Sequence, residues 1–170
     1  MSIKVCGNYP VSGNISIELS PAKPAEFTLA LRIPQWSKTT TAKLISGSDT
    51  LNISLDNLPA GEYAKVDRKW KKGDRIELSF DLTPHLLELN GHQAVVRGPI
   101  VLARDSRFND GFVDECVVIQ SSEDGSVALT PAEGNDFAWM SFTAPMIVGA
   151  DLEGNGKPRQ IHLLSLIHIT

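Results

Sequence analysis

Apolar and polar residues alternate one by one along much of the first half of this chain. The apolar positions form three series: Ile15, Ile17 and Leu19; Phe27, Leu29, Leu31 and Ile33; and Ile76, Leu78, Phe80 and Leu82. Polar or small residues occupy the positions between them. Because successive side chains of a strand point to opposite faces, a period of two predicts half-buried antiparallel strands.

Turn-forming residues separate these predicted strands. The turn stretches are residues 21–24, 47–49, 59–61 and 72–74, and each contains glycine or proline. Strands that recur at intervals of roughly ten residues, with such turns between them, are typical of a β-sandwich. The first half of the chain is therefore predicted to be an antiparallel β-sandwich.

The second half of the chain also has an all-β pattern, with less regular alternation. Residues 85–89 are predicted to form a short helical turn or a connector. The apolar stretch 94–103, broken by Gly98-Pro99, predicts one buried strand with a bend. Further strands are predicted at 113–119, 127–129, 137–142 and 160–169.

A domain boundary is expected in the region from Pro84 to Gly91. It gives two tandem antiparallel β-sandwich domains, residues 1–84 and residues 85–170, of which we expect the second to be truncated. A single larger sandwich is the alternative, since 170 residues suit either arrangement.

Composition excludes some classes of protein. The net charge is −4, and the small basic cluster at residues 69–72 is flanked by Asp67 and Asp74, which is typical of a solvated turn and not of a nucleic-acid-binding patch. No apolar run reaches the roughly 18 residues that a membrane-spanning helix needs. The first residues lack the apolar segment of a signal peptide. We therefore expect neither a nucleic-acid nor a membrane partner, and the compartment stays open.

Metal-binding motifs are weak in this sequence. Cys6 and Cys116 stand far apart, and none of the four histidines lies in a motif with ligand spacing. Asp151, Glu153 and Asn155 match the first half of a calcium loop, in which oxygen ligands alternate along the chain. The glutamate that such a loop needs at its twelfth position is replaced by His162. An acidic hairpin turn is the favoured interpretation, and we expect no metal or cofactor.

The sequence shows no catalytic constellation. Glycosidic bond hydrolysis, for example, needs two carboxyl groups held across one bond. The acidic residues here fall on the polar faces of predicted strands or in turns, where they serve solubility. Nucleophile-elbow and phosphate-loop motifs are also missing from the sequence. We therefore predict no catalytic residue in this chain.

Aromatic residues near strand ends are the candidates for intermolecular contact. Trp36 follows Pro34, which ends a predicted strand, and three roles compete for it: a cap on the core, a contact with a neighbouring domain, or a platform for a sugar ring. Trp70 ends another strand, and Tyr63 is the third candidate. If Trp36 and Trp70 share one end of the sandwich, a domain contact is favoured, because large exposed apolar patches are uncommon. Trp139 is expected in the core.

Five segments taken together resemble a known family. They are Tyr9-Pro10-Val11-Ser12-Gly13, residues 27–36, Gly61-Glu62-Tyr63-Ala64, residues 68–74 and residues 96–103. In order and spacing this series resembles the region after the catalytic domain in glycoside hydrolase family 127, the β-L-arabinofuranosidase-like proteins. The resemblance covers most of residues 5–105.

The resemblance implies that catalysis belongs to an (α/α)6 barrel and that this chain is the β-sandwich region behind it. Family members hydrolyse terminal β-L-arabinofuranosyl groups, or related sugars, of plant-type glycans. Their zinc-held cysteine nucleophile and glutamates lie on the barrel, and the Cys-Cys-Pro segment of that site has no match here. Zinc is therefore implied only for the barrel. The expected partners are the barrel of the parent chain and arabinose-containing glycans.

Two functions follow as expectations. The first is a non-catalytic part of a glycoside hydrolase that braces the barrel and is inactive alone. The second is a freestanding carbohydrate-binding module. The apolar last residues, 164–170, would form an exposed end that favours aggregation, so we expect a fragment that is cut at both ends and whose last residues are not native.

Overall fold

A computed structural model describes residues 1–55, 61–133, 137–151, 153 and 155–165. These residues form antiparallel β-strands and one short 3-10 turn, Ser106–Phe108, and the predicted all-β fold class is confirmed. None of the described segments forms a helix that could cross a membrane. The chain divides into two units, Met1–Leu82 and Thr83–Thr170. We call them unit 1 and unit 2.

Unit 1 contains two antiparallel sheets. Its strands are β1 (Ser2–Gly7), β2 (Asn14–Ser20), β3 (Ala25–Arg32), β4 (Thr41–Ser46), β5 (Asp49–Ile53), β6 (Tyr63–Trp70) and β7 (Asp74–Ser79). Five strands form one sheet in the order β1-β2-β7-β4-β5, while β3 and β6 form a two-stranded sheet. The three alternating series of the sequence lie mainly in β2, β3 and β7. Within each sheet, the apolar residues of these strands point to the same face as the residues with which they pair on the neighbouring strand.

The core of unit 1 lies between these two sheets. Its buried residues come from both sheets: Leu19, Leu31, Ile33, Ala42, Leu44, Ala64, Trp70, Ile76 and Leu78. The alternation therefore places one face of each strand against the opposing sheet, as in a sandwich.

A buried carboxylate fixes the turn between β6 and β7. Asp74 accepts hydrogen bonds from the Lys71 N–H (2.9 Å) and the Ser46 hydroxyl (2.7 Å), and the Arg68 guanidinium lies 3.5 Å away. Gly73 has a φ of 88°, a conformation that favours glycine. Because its oxygens are paired, Asp74 is accommodated at the edge of the core despite its burial.

Unit 2 is built on one antiparallel sheet. Its strands are β8 (His85–Leu89), β9 (His92–Arg97), β10 (Ile100–Ala103), β11 (Val117–Ile119), β12 (Thr130–Pro131), β13 (Ser141–Val148) and β14 (Lys157–Ser165). The strand order is β11-β13-β14-β10-β9-β8, and β12 also pairs with β13. An isolated bridge joins His85 to Ser126. The inner face holds the core, with Val95, Ile100, Met146 and Ile161 almost fully buried.

Two secondary-structure predictions for unit 2 are wrong because of local turns. Residues 85–89 form β8 and not a helical turn, since Gly91, with a φ of 76°, closes a hairpin between β8 and β9. Residues 94–103 form two strands and not one bent strand. Gly98 and Pro99 make the two-residue turn that reverses the chain, and Gly98 has a φ of 59°.

The other predicted strands of unit 2 have wrong boundaries. Residues 127–129 form no strand, and the strands predicted at 113–119 and 137–142 begin only at Val117 and Ser141. The last predicted strand, 160–169, begins earlier, at Lys157. The expectation of an exposed, non-native end concerned residues 164–170. Leu164 and Ser165 are buried in this strand, and residues 166–170 lie outside the described residues.

Candidate functional site

Trp36 belongs to an aromatic cluster at one end of unit 1. Its ring stacks on Tyr9, with ring centroids 6.4 Å apart, and meets the edge of Phe80 at 5.7 Å. The turn that carries Trp36 is closed by a hydrogen bond from the Ser37 N–H to the Pro34 carbonyl (3.2 Å). Trp36 is half-buried and Tyr9 is 40% exposed, so the cluster has an open face. Partial burial raises the pKa of Tyr9.

Trp70 is a core residue of unit 1. Its side chain is fully buried, its indole N–H donates to the Phe27 carbonyl (2.9 Å), and its ring stacks on Phe27 with centroids 5.8 Å apart. The Arg68 guanidinium lies 5.3 Å from the ring centroid. With its polar atom paired and its faces covered, Trp70 offers no surface to a sugar or to a second domain.

Trp36 and Trp70 lie at opposite ends of the two-stranded sheet. In the register of β3 with β6, Trp70 pairs with Ala25, where β3 begins. Trp36 follows Arg32, where β3 ends. Trp36 and Trp70 therefore do not share one end of the sandwich, which was the arrangement that would have favoured a domain contact.

Tyr63 lies at the same end of β3 as Trp36. It pairs with Arg32 across the ladder, and the Arg32 guanidinium lies 5.1 Å from its ring centroid. Its side chain is 48% exposed. Tyr63 and the Trp36 cluster are thus the candidate contact residues that the structure leaves accessible.

The acidic loop of Asp151, Glu153 and Asn155 connects β13 to β14. Asp151 Oδ1 accepts hydrogen bonds from the N–H groups of Glu153 and Asn155, each 2.9 Å long. The Asn155 amide donates to Asp151 Oδ2 (3.1 Å) and to Glu153 Oε2 (3.3 Å). The three side chains therefore meet, but their polar atoms satisfy one another within a hairpin connection. In the described ranges, no group of three or more His, Cys, Asp or Glu residues could hold a metal ion.

Trp139 is exposed, although its position in the sequence predicts a core residue. It lies in a bend before β13, and 43% of its side chain is exposed. The buried aromatic residue of this segment is Phe142, inside β13. The prediction failed because it extended the strand too far toward the N-terminus.

An apolar groove that the sequence did not predict lies beside β3. Its volume is about 360 Å³, and its lining includes Val5, Ile15 and Ile17 from the five-stranded sheet and Ala30 and Arg32 from β3. We call this groove the β3 slot. The β3 slot exists because the two sheets have different numbers of strands. Alternation within a single strand does not reveal how many strands its sheet contains.

Residues 1–82 match the family model of the glycoside hydrolase family 127 (GH127) β-L-arabinofuranosidase middle domain. Residues 1–82 are similar to a GH127 middle domain. The residues that carry the resemblance in the first half of the sequence lie within this match, and the predicted resemblance to the family is confirmed.

Solved structures share the fold of the chain. One, described as a glycoside hydrolase, has 24% sequence identity and a TM-score of 0.62, and the match covers 96% of this chain and 29% of that one. A GH127 β-L-arabinofuranosidase from Geobacillus stearothermophilus T6 has 22% identity and a TM-score of 0.61, covering 96% and 27%. A GH127 β-arabinofuranosidase has 20% identity and a TM-score of 0.63, covering 96% and 28%.

These identities establish a shared fold and nothing more specific. The chain spans less than a third of the length of each of these structures. No curated protein matches the chain.

The outer face of the five-stranded sheet of unit 1 is polar. A shallow groove of about 690 Å³ lies there, and its lining includes Cys6, Asn14, Ser16, Lys43 and Glu77. None of the described residues that line this groove is aromatic. A sugar ring would therefore find hydrogen-bonding groups on this face but no stacking platform.

Proposed function

We propose that this chain is a non-catalytic β-sandwich region of a glycoside hydrolase that resembles β-L-arabinofuranosidases, and that it braces a catalytic domain of the same polypeptide. The observation that carries the proposal is the match of residues 1–82 to a domain defined as the middle domain of GH127 enzymes. By resemblance, the catalytic domain is an (α/α)6 barrel that holds the zinc and acts on L-arabinofuranosides of plant-type glycans. In this proposal the 170-residue chain contributes no cofactor ligand and no catalytic residue.

The two units are assigned by the same reasoning. Unit 1 corresponds to the middle sandwich domain, and unit 2 corresponds to the C-terminal sandwich region. The units meet at residues 82 and 83, two residues before the predicted boundary at residues 84 and 85. Solved GH127 structures that match over 96% of this chain support this assignment of unit 2.

A binding experiment with the catalytic domain tests the bracing function. The 170-residue chain and the separately produced catalytic domain of the same polypeptide are mixed, and the Tm of the catalytic domain is measured. A partner that binds only the folded state stabilises it by about 2.7 kcal/mol at a concentration one hundred times Kd. We therefore expect a Tm that rises with the concentration of the chain. An unchanged Tm at every concentration would contradict bracing.

A carbohydrate-binding module is the second candidate function. The exposed rings of Tyr63 and Tyr9 favour it, because an aromatic face that is open to solvent can stack on a sugar. Titration with L-arabinofuranosyl oligosaccharides separates the two functions. A binding module would show a saturable change in tryptophan fluorescence, since Trp36 stacks on Tyr9, whereas a bracing domain would show none.

A further inference from the structure

The two sheets of unit 1 are unequal in width. Five strands face two, and the inner side of β1 is left uncovered. Ile3 and Val5 pair with Leu19 and Ile17 and so point to the core side, yet their side chains are 49% and 65% exposed. Apolar side chains on an inner face are stable when covered, because burial contributes about 25 cal/mol per Å². A third strand beside β3 would lie over the inner side of β1 and would cover these two side chains.

The edge of β3 next to this gap has unpaired backbone groups. The Ile33 N–H donates to the Glu62 carbonyl (2.9 Å), which continues the register that pairs Arg32 with Tyr63. In an antiparallel ladder, successive residues direct their N–H and C=O groups to opposite sides. The groups of Thr28 and Ala30 therefore point away from β6. Within the described part of the chain, β3 pairs with β6 alone.

The two free edges of this small sheet differ in protection. Proteins guard exposed edges with lysines and with charged residues that point inward. On β6, Lys65 and Lys69 face outward, and Arg68 points inward to the buried Asp74. On β3 the inward residues are apolar, and the charges sit near its two ends, at Glu26 and Arg32. The edge of β3 therefore lacks the charged protection that β6 has, which is typical of an edge that pairs with another strand.

The shape of the β3 slot selects one strand and not a second copy of the chain. A twofold-related copy that paired its own β3 here would bring its own β1 close to the axis as well. Because β1 extends past β3, as the exposure of Val5 indicates, the two β1 strands would collide. A single extended segment has no such overhang.

We propose that the β3 slot binds one extended segment of the catalytic domain, added antiparallel to β3 as the third strand of that sheet. That the segment comes from the catalytic domain rests on the proposed function. That the β3 slot binds an extended segment does not. The segment would carry apolar side chains at alternate positions to cover Val5 and Ile17. It would carry an acidic residue opposite Arg32 and a basic residue opposite Glu26, which complements the charges at the two ends of β3.

A designed peptide tests the slot directly. The 170-residue chain is titrated with the capped peptide Glu-Val-Thr-Val-Thr-Val-Lys, which meets these requirements in the antiparallel direction. Amide hydrogen exchange is measured by NMR. We expect the exchange of the Thr28 and Ala30 amides to slow at least tenfold at saturation, because these N–H groups gain partners. No change at these two amides during the titration would overturn the proposal.

Two variants with a control identify the binding site. Ala30→Pro removes an N–H that faces the slot and leaves the ladder with β6 intact, so it should abolish peptide binding, whereas Ala30→Ser retains the N–H and should bind normally. Val5→Lys places a charge in the slot at a position that is already exposed, so folding is preserved while binding weakens. Equal affinity of the peptide for Ala30→Pro, Val5→Lys and the unaltered chain would contradict the slot.

The same variants separate this proposal from the bracing function. If the catalytic domain gains the same Tm from Ala30→Pro as from the unaltered chain, the assignment of the segment to the catalytic domain is overturned and bracing stands. If the peptide binds but the catalytic domain gains no stability, the slot stands and its assigned source is overturned. A Tm gain that the unaltered chain and Ala30→Ser produce, and that Ala30→Pro does not produce, supports both the slot and bracing.

Discussion

Two tryptophans that look alike in sequence have different environments. Trp70 is buried with its indole N–H paired, whereas Trp36 stacks on a half-exposed Tyr9. Truncation of a fully buried Trp costs about 3–5 kcal/mol, because a cavity remains. We expect Trp70→Ala to lower the free energy of unfolding of unit 1 by that amount and Trp36→Ala by less than half of it. Denaturant unfolding followed by circular dichroism measures both, and equal losses would contradict the assignment.

A local ion pair in unit 2 governs the acid titration of Asp105. Hydrogen bonds from the Arg107 side chain and backbone lower the pKa of Asp105 to about 2. A carboxyl group with a depressed pKa in the folded state contributes stability above its unfolded pKa and loses it as the pH falls through about 2. We expect Arg107→Gln to raise the pKa of Asp105 toward its ordinary value of 3.8, as NMR titration would measure. An unchanged titration curve would show that Arg107 is not the cause.

At the scale of elements, one glycine sets the approach of β7 to the loop before β2. A Cβ at Gly13 would lie 2.2 Å from the Phe80 carbonyl oxygen, and the Phe80 N–H donates to the Gly13 carbonyl (3.0 Å). Gly13→Ala must therefore move backbone, and we expect it to destabilise unit 1 by more than about 2 kcal/mol. Thermal unfolding measures the difference.

Gly73→Ala is the matched control for this prediction. Gly73 has a φ of 88° but no atom within 4 Å of an added Cβ, so alanine there meets conformational strain alone. That strain costs roughly 1–2 kcal/mol. A smaller loss for Gly13→Ala than for Gly73→Ala would show that close approach is not what requires glycine at position 13.

Strand prediction succeeded where one face of the strand is polar. The alternation of β2 and β7 was readable because each has one face in the core and one in solvent. In β9 and β10 apolar residues occupy both faces, and the turn between them contains only Gly98 and Pro99, so two strands resembled one. Periodicity reports the burial of a strand but not how often the chain reverses.

The candidate site was less predictable than the strands, because it depends on contacts between residues that are far apart in the chain. The aromatic character of Trp36 and Tyr63 could be read from the sequence, but the burial of Trp70 depends on which residues face it across the sandwich. The β3 slot depends on the widths of two sheets, which are set by pairings between residues far apart in the chain. Such long-range properties leave no local signal in a single sequence.

For the molecule as a whole, the division into units predicts that residues 1–82 fold without residues 83–170. All nine buried residues of the unit 1 core lie within Met1–Leu82. A domain of about 80 residues buries enough surface to be stable alone, although marginally. We expect a fragment of residues 1–82 to unfold cooperatively, with a near-ultraviolet circular dichroism signal from its buried Trp70.

The same fragment with Trp70→Ala is the control, since the loss of the largest core side chain should remove most of the stability of so small a domain. A gradual, non-cooperative transition of the unaltered fragment would mean that unit 1 depends on the rest of the chain. A cooperative transition would make the fragment the smallest protein in which β-strand addition to β3 can be measured. The peptide titration could then be repeated without any contribution from unit 2.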